Sequence, residues 1–280
     1  MRRTAIAAAL AALFPVCSLA QTAAGPSSIE MYGLVDLGLE HQDVGAASVT
    51  RLSSGVASGS RLGIRGREAL NPGYAALFTI ETRIEADSGA MGGRNPLYFC
   101  STPTTCPGIA NPTSSTLNNS LLQAVFTVNS VNALFDRQSY VGVVTPIGAF
   151  LLGRQYTPGY EIINKYNSFQ DSMSGQFTQG YTTLAIRANN AVHYRIETGG
   201  FAASLMYGFG GTDAIRSERS TSPGSGDDFM GVNAQYVAPN FSVGVAHNRN
   251  KTVTFAAPTE ARTGQVTTNV GATSTFGAVK

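Results

Sequence analysis

Residues 58–85 read SGSRLGIRGREALNPGYAALFTIETRIE. Arg61, Arg65 and Arg67 fall two or four residues apart, with Leu62, Ile64 and Gly66 at the alternate places. After a break at Asn71-Pro72-Gly73 the alternation resumes. Tyr74, Ala76, Phe78 and Ile80 form one row, and Glu81, Arg83 and Glu85 fall on the other. Successive side chains of an extended strand point to opposite faces, so each half is a strand with one apolar and one charged face. Pro and Gly between them supply the fixed and the positive φ that a tight turn needs.

The same period recurs along the chain. In residues 29–40, Ile29, Met31, Gly33, Val35, Leu37 and Leu39 oppose Glu30, Tyr32, Leu34, Asp36, Gly38 and Glu40. Val192, Tyr194 and Ile196 oppose His193, Arg195 and Glu197. Met230, Val232, Ala234 and Tyr236 oppose Asn233 and Gln235, and Phe241, Val243 and Val245 oppose Ser242, Gly244 and Ala246. No segment of comparable length carries a helical period, so the fold class is all-β.

Breaks between strands come in two sizes. Tight ones sit at Asn71-Pro72-Gly73, Pro146-Ile147-Gly148, Thr198-Gly199-Gly200 and Pro239-Asn240. Long polar stretches lie between them, at roughly 45–59, 89–136, 157–188, 211–228 and 254–272. Short turns therefore share one rim and long loops the other. Tyr74, Phe150, Phe201 and Phe241 each follow a tight turn, and Tyr74, Phe201 and Phe241 head an apolar row. That places aromatic rings at one level, as an interfacial girdle requires.

Composition narrows the solvent of the apolar faces. Charged residues are 13% of the chain, about half the share of a soluble domain. The first twenty residues form a secretory signal peptide: basic Arg2 and Arg3, an apolar run from Ala5 to Val16, and small residues before a cut at Ala20. Domain organisation is accordingly a signal at 1–20 and one barrel domain at 21–280. Taking Arg2 and Arg3 from the 19 basic residues leaves 17 against 17 acidic ones, which argues against nucleic acid as a partner. In lipid every backbone polar group needs a partner within the protein, so a membrane sheet must close on itself. A transmembrane antiparallel β-barrel answers the alternation: Leu62 and Ile64 face lipid, and the arginines face a water-filled lumen.

Three stretches are long enough to be specific: SGSRLGIRGREALNPGYAALFTIE, FDRQSYVGVVTPIGAFLLGRQYTP and NNAVHY. With SSIEMYGLVDLGLE and FAASLMYGFG, they resemble the general trimeric porins of Gram-negative bacteria, β-proteobacterial type. The resemblance covers most of residues 27–250. It implies a 16-stranded barrel in the outer membrane, embedded in lipid as a homotrimer. It also implies passive diffusion of ions and small hydrophilic solutes, with no enzymatic activity and no cofactor. A third long loop would fold inward to narrow the pore. By position that loop is about Thr157 to Arg187 and carries Glu161, Lys165 and Asp171. In the family, acidic loop residues face basic residues of the wall. Arg61, Arg65, Arg67, Arg83 and Arg154 are the wall candidates here, with Arg137 and Arg195 less firmly placed; such a wall predicts anion preference. Family members end in an aromatic closing strand. This chain reaches Lys280 inside what reads as its tenth strand, so the sequence reads as C-terminally incomplete.

Cys100 and Cys106, in LYFCSTPTTCPG, read as a small exported disulfide loop, with a metal site as the rival. No His or further Cys lies near enough in sequence to complete such a site, and His41, His193 and His247 have no metal-ligand spacing. Nucleophile-elbow, phosphate-loop and dinucleotide patterns are absent. A surface adhesin with a plugged lumen is the alternative reading. Gly38, Gly63, Ala75, Ser204, Ser242 and Gly244 on the inward rows favour open water over a plug.

Overall fold

The computed structural model describes residues 26–43, 48–89, 134–168, 186–209, 228–256 and 259–275. Residues 1–20, read from sequence as a signal peptide, and Cys100, Cys106 and Asp171 lie outside the described residues. The strands in chain order are β1 (Ser28–Leu34), β2 (Leu37–Asp43), β3 (Ser48–Ser54), β4 (Arg61–Asn71), β5 (Tyr74–Arg83), β6 (Gln138–Thr145), β7 (Gly148–Tyr156), β8 (Arg187–Thr198), β9 (Phe201–Gly208), β10 (Phe229–Val237), β11 (Phe241–Ala256) and β12 (Thr259–Ser274). Strands β2 and β3 form a separate hairpin, and the others form one 10-stranded antiparallel sheet in which β1 pairs with β4. From β4 onward every strand pairs with its neighbour in sequence, the meander of an up-and-down barrel wall.

Turn chemistry sets the tight rim. Pro72-Gly73 joins β4 to β5 with Gly73 at φ 83°, the second central position of a type II turn. Gly199 and Gly200 join β8 to β9 with φ 55° and 83°, the paired positive values of a type I′ hairpin.

Alternation holds in three dimensions. On β1, Ile29 and Met31 are 79% and 70% exposed on the outer face, while Glu30 and Tyr32 face inward. Phe78 and Ile80 pair with Gly66 and Ile64 on the outer face; Glu81 and Arg83 point inward and are buried. Tyr74, Phe150, Phe201 and Phe241 are all exposed on the outside near the tight rim, and Tyr194 and Tyr236 join them. The Phe150–Tyr194 and Tyr236–Phe241 centroids lie 4.9 and 5.9 Å apart. An aromatic band and an outer apolar face that no other described residues cover are what a lipid-facing wall presents.

Four features depart from the sequence reading. The first concerns residues 29–40, which do not run as one strand. Asp36 accepts from the backbone N–H groups of Ala57 and Ser58 at 3.3 and 3.0 Å, and its own N–H donates to Ser60 Oγ at 2.9 Å. Its carbonyl accepts from Gly55 N at 2.8 Å. These bonds tie residues 55–60 to the chain at Asp36 and end β1 there, so β2 and β3 leave the wall as their own hairpin. Second, residues 254–272 lie mostly in β11 and β12, each 16 residues long, rather than in a polar loop. Thr and Val are good strand formers on either face, and polar alternation says little about where a strand stops. Third, the chain is not free of helix: α1 (Pro158–Tyr166) follows β7 directly. The fourth is the placement of Arg154, taken up below.

Candidate functional site

Helix α1 is the element that gives the lumen its shape. Thr157 caps it, its hydroxyl accepting from Tyr160 N at 3.2 Å, and Pro158 opens the first turn. Glu161 in the first turn and Lys165 in the last suit the helix dipole. Ile162 is 1% exposed, and Tyr160 and Ile163 pack with Ile186 and Tyr156. The helix lies on the inner face of β10, β11 and β12. That wall is flat where the helix sits because Gly244 and Gly271 carry no side chains. A Cβ at Gly244 would come within 2.7 Å of the Tyr166 ring and 2.9 Å of Ile162 Cδ1, and one at Gly271 would run into Tyr166.

Polar contacts fix the helix laterally. Glu161 Oε1 accepts from Arg195 on β8, and Oε2 accepts from Asn233 Nδ2 on β10 at 3.1 Å. Asn233 Nδ2 also donates to Pro158 O at 3.2 Å, and Lys165 Nζ donates to Gln235 Oε1 at 2.6 Å. Arg195, Asn233 and Gln235 all belong to inward rows, so strand alternation aims them at the helix.

Across from α1, β1, β4 and β5 present a cationic wall. Arg65 pairs with Glu30 at 2.7 Å and lies 5.2 Å over the Tyr32 ring. Tyr32 OH donates to Glu81 Oε2 at 2.9 Å, and Arg137 Nε donates to Glu81 Oε1 at 2.6 Å. Arg137 continues to Tyr156 OH at 2.8 Å, and Arg187 reaches the same hydroxyl at 3.2 Å. One chain of charge-assisted bonds therefore runs from the first wall strand to the base of the helix loop. Gly63 makes room for it, since any side chain there would collide with the Tyr32 ring.

Between helix and wall lies a cavity of about 490 Å³, lined by Ser58 and Arg61 on one side and Tyr160, Glu161, Asn164 and Lys165 on the other, with Tyr156 at its edge. Of the candidates read from sequence, the structure brings Arg61 and Glu161 together here. Arg65 faces the lumen further along the same row. Arg67, six residues from Arg61, stands about 20 Å away towards the tight rim at the rise of a strand. Arg83 is 5% exposed and is held by Asp136, with Nε 3.3 Å from one carboxylate oxygen and its N–H donating to the other at 2.9 Å. It belongs to the buried loop base, not to the cavity lining.

Arg154 is a correction. Its β-partner is Ser139, and it continues the row of Phe150 and Leu152 on the outer face, while Gly153 and Gln155 take the inward places. A bulge between Gly153, at φ 129°, and Gln155 breaks the register with β8 at this point. The guanidinium is satisfied locally, donating to Asp136 O at 2.7 Å and to Asn189 Oδ1.

Sequence reading missed the cavity's neutral lining, Ser58, Tyr156, Tyr160 and Asn164, and the residues that seat the helix. One signal for the helix was present: Thr157-Pro158 as cap and first turn, with Glu161 and Lys165 at opposite ends. Among the described residues no three His, Cys, Asp or Glu side chains gather as a metal site would need.

The geometry agrees with comparisons to known proteins. The family model for Gram-negative porins matches residues 6–280. Outer membrane porin protein 32 of Delftia acidovorans is 28% identical over 205 residues, 69% of this chain and 47% of its own. An outer membrane porin protein of Bordetella pertussis is 34% identical over 111 residues, 34% of this chain and 28% of its own. The chain thus spans about half the length, or less, of these curated relatives. Among solved structures, an anion-selective porin from Comamonas acidovorans superposes with a TM-score of 0.62 at 24% identity, over 90% of this chain and 64% of that one. OmpT of Vibrio cholerae in its trimer form superposes at 0.53 and 18% identity, over 90% and 62%. At these identities the likeness concerns the fold. With a family match over nearly the whole chain and a wall of the corresponding architecture, this protein belongs to the Gram-negative porins.

Proposed function

We propose that the protein forms a water-filled channel in the outer membrane of a Gram-negative bacterium, through which ions and small hydrophilic solutes diffuse passively, with anions favoured. One observation carries the reading: α1 is seated inside the sheet and leaves a gap whose far wall carries Arg61. Selectivity in a wide pore is set by charge at the narrowest section, not by the charge of the whole chain. Glu161 supplies the acid expected of the inward loop, but Arg195 pairs with it, which leaves the described lining of the gap with cationic excess. The outer rows, apolar with an aromatic band, fit outer-membrane lipid, and assembly as a homotrimer accords with family membership.

The test is single-channel recording on protein purified from its own outer membrane, in a planar bilayer under a tenfold KCl gradient. Discrete steps, grouped in threes, are expected, with a zero-current potential of the sign given by chloride. Replacing Arg61 and Arg65 together by Ser should move that potential toward potassium. An unshifted potential in the double variant would remove both residues from the selectivity role, and silence from the parent protein would sink the channel reading.

A further inference from the structure

We propose that His247, Arg249 and Thr268, on the outer face of β11 and β12, form a binding site for the phosphate headgroup of a glycolipid in the loop-side leaflet of the membrane. The site lies outside the barrel wall, so it is independent of what the lumen conducts. Arg154 and Arg249 both stand on outer rows of the sheet. Arg154 is satisfied locally by Asp136 O and Asn189 Oδ1. Arg249 is exposed, and among the described residues nothing pairs with its guanidinium. An unpaired cation on a face built for lipid calls for an anionic partner that the lipid itself can bring.

Strand geometry sets the depth. Arg249 lies eight residues from Phe241, the ring that heads β11 at the tight rim. At about 3.4 Å per residue and a tilt of about 40°, that is a height of about 20 Å, against an apolar band about 25 Å tall. The outer row of β11 reads Phe241, Val243, Val245 and then His247 and Arg249, so it turns polar where the hydrocarbon ends. Long loops face outward in such barrels, which puts this end in the outer leaflet. Pairing gathers the donors: Arg249 sits between Met230 and Val266, and His247 between Val232 and Thr268. His247 Nδ1 and Thr268 Oγ1 are 2.9 Å apart. With Thr268 donating to Nδ1, the neutral ring carries its hydrogen on Nε2, so imidazole and guanidinium offer donors two residues apart on one face. The guanidinium fork matches two phosphate oxygens. Towards the tight rim Val232, Val243, Val245 and Val270 are exposed and give acyl chains an apolar track. At the level of Arg249, two strand spacings or about 10 Å along, Tyr207 is exposed with Phe209 edge-on at 4.9 Å, rings that suit a sugar at the interface. Among the described residues, no carboxylate stands on the outer rows of β9 to β12 between Arg249 and the tight rim. Asp228, two residues beyond Met230 towards the loops, already interacts with another group. A phosphorylated lipid meets the charge and the apolar track together, whereas a free anion meets only the charge.

The test is native mass spectrometry of the protein purified from its outer membrane and delipidated in detergent. It is titrated with bis-phosphorylated lipid A, with the same lipid stripped of its phosphates, and with phosphatidylglycerol. Saturable binding of lipid A is expected, with binding of the other two weaker by about tenfold or more. Arg249→Gln should raise the dissociation constant for lipid A about tenfold, the loss of one charge-assisted fork, and Arg249→Lys should recover part of it. Both variants should keep the parent's conductance and its gel mobility when unboiled, because the site lies outside the lumen. Equal binding of lipid A with and without its phosphates would overturn the phosphate role on the parent protein alone, with no variant needed. Unchanged binding in Arg249→Gln would overturn the site, and phosphatidylglycerol binding as tightly as lipid A would overturn the glycolipid assignment.

Discussion

The buried pair of Glu81 and Arg137 gives a quantitative test of the wall's construction. Their side chains are 6% and 4% exposed, and Arg137 Nε donates to Glu81 Oε1 at 2.6 Å. Glu81 is also the acceptor for Tyr32 OH. At an effective dielectric of about 20, opposite charges roughly 4 Å apart attract by about 4 kcal/mol. Removing one member leaves the other charge buried without its counter-ion, a change that costs about 3–5 kcal/mol. Glu81→Leu should therefore destabilise the folded wall by up to that amount, discounted by the other contacts Arg137 keeps, the bond to Tyr156 among them. The paired change Glu81→Leu with Arg137→Leu should recover most of the loss, since an apolar pair of similar size removes the stranded charge and the desolvation penalty together.

The assay is urea unfolding of the protein in lipid vesicles, read by the gel mobility of unboiled samples. At a slope of about 2 kcal/mol per molar urea, the single variant should unfold about 1.5–2.5 M earlier than the parent. The double variant should fall within about 0.5 M of it, with the shared energy appearing as coupling in the mutant cycle. A Glu81→Leu variant that unfolds with the parent would show that water reaches the pair and screens it, and the account of a dry, continuous ion network would fail. A double variant no better than the single would refute the stranded-charge argument and leave volume change as the cause.

Two further changes probe the helix seat. Gly244→Val places a branched side chain where Tyr166 and Ile162 now touch the wall, an overpacking of about 1–3 kcal/mol relieved by moving α1 inward; single-channel conductance should fall, and more than in Gly244→Ala. Thr157→Ala removes the hydroxyl that caps α1, worth about 1 kcal/mol. Its open-channel current should become noisier with mean conductance nearly kept, and a current as quiet as the parent's would show that packing alone holds the first turn.

What could be read from the sequence follows the physics of each element. Strand faces were legible because their period is local: Ile29, Met31, Leu62, Phe201 and Phe241 stand on the outer face as alternation requires. Tight turns were legible because Pro72-Gly73 and Gly199-Gly200 carry their own backbone constraints. Arg154 was misplaced although local alternation carries it on the outer row of Phe150 and Leu152; what the sequence did not show is the bulge beside it, between Gly153 and Gln155, where the register with β8 shifts. Long-range satisfaction hid the break at Asp36 as well: a polar residue in mid-alternation ends a strand only when Gly55, Ala57, Ser58 and Ser60 return to bond it. The functional gap depends on the same kind of information. Glu161 was readable as an acid on an inward loop, but its neutralisation by Arg195 joins residues 34 apart in sequence, and Lys165 gains its place from Gln235, 70 residues away. The sign of the pore's charge is therefore set less by which residues the loop carries than by which of them the wall already engages, and only the folded arrangement decides that.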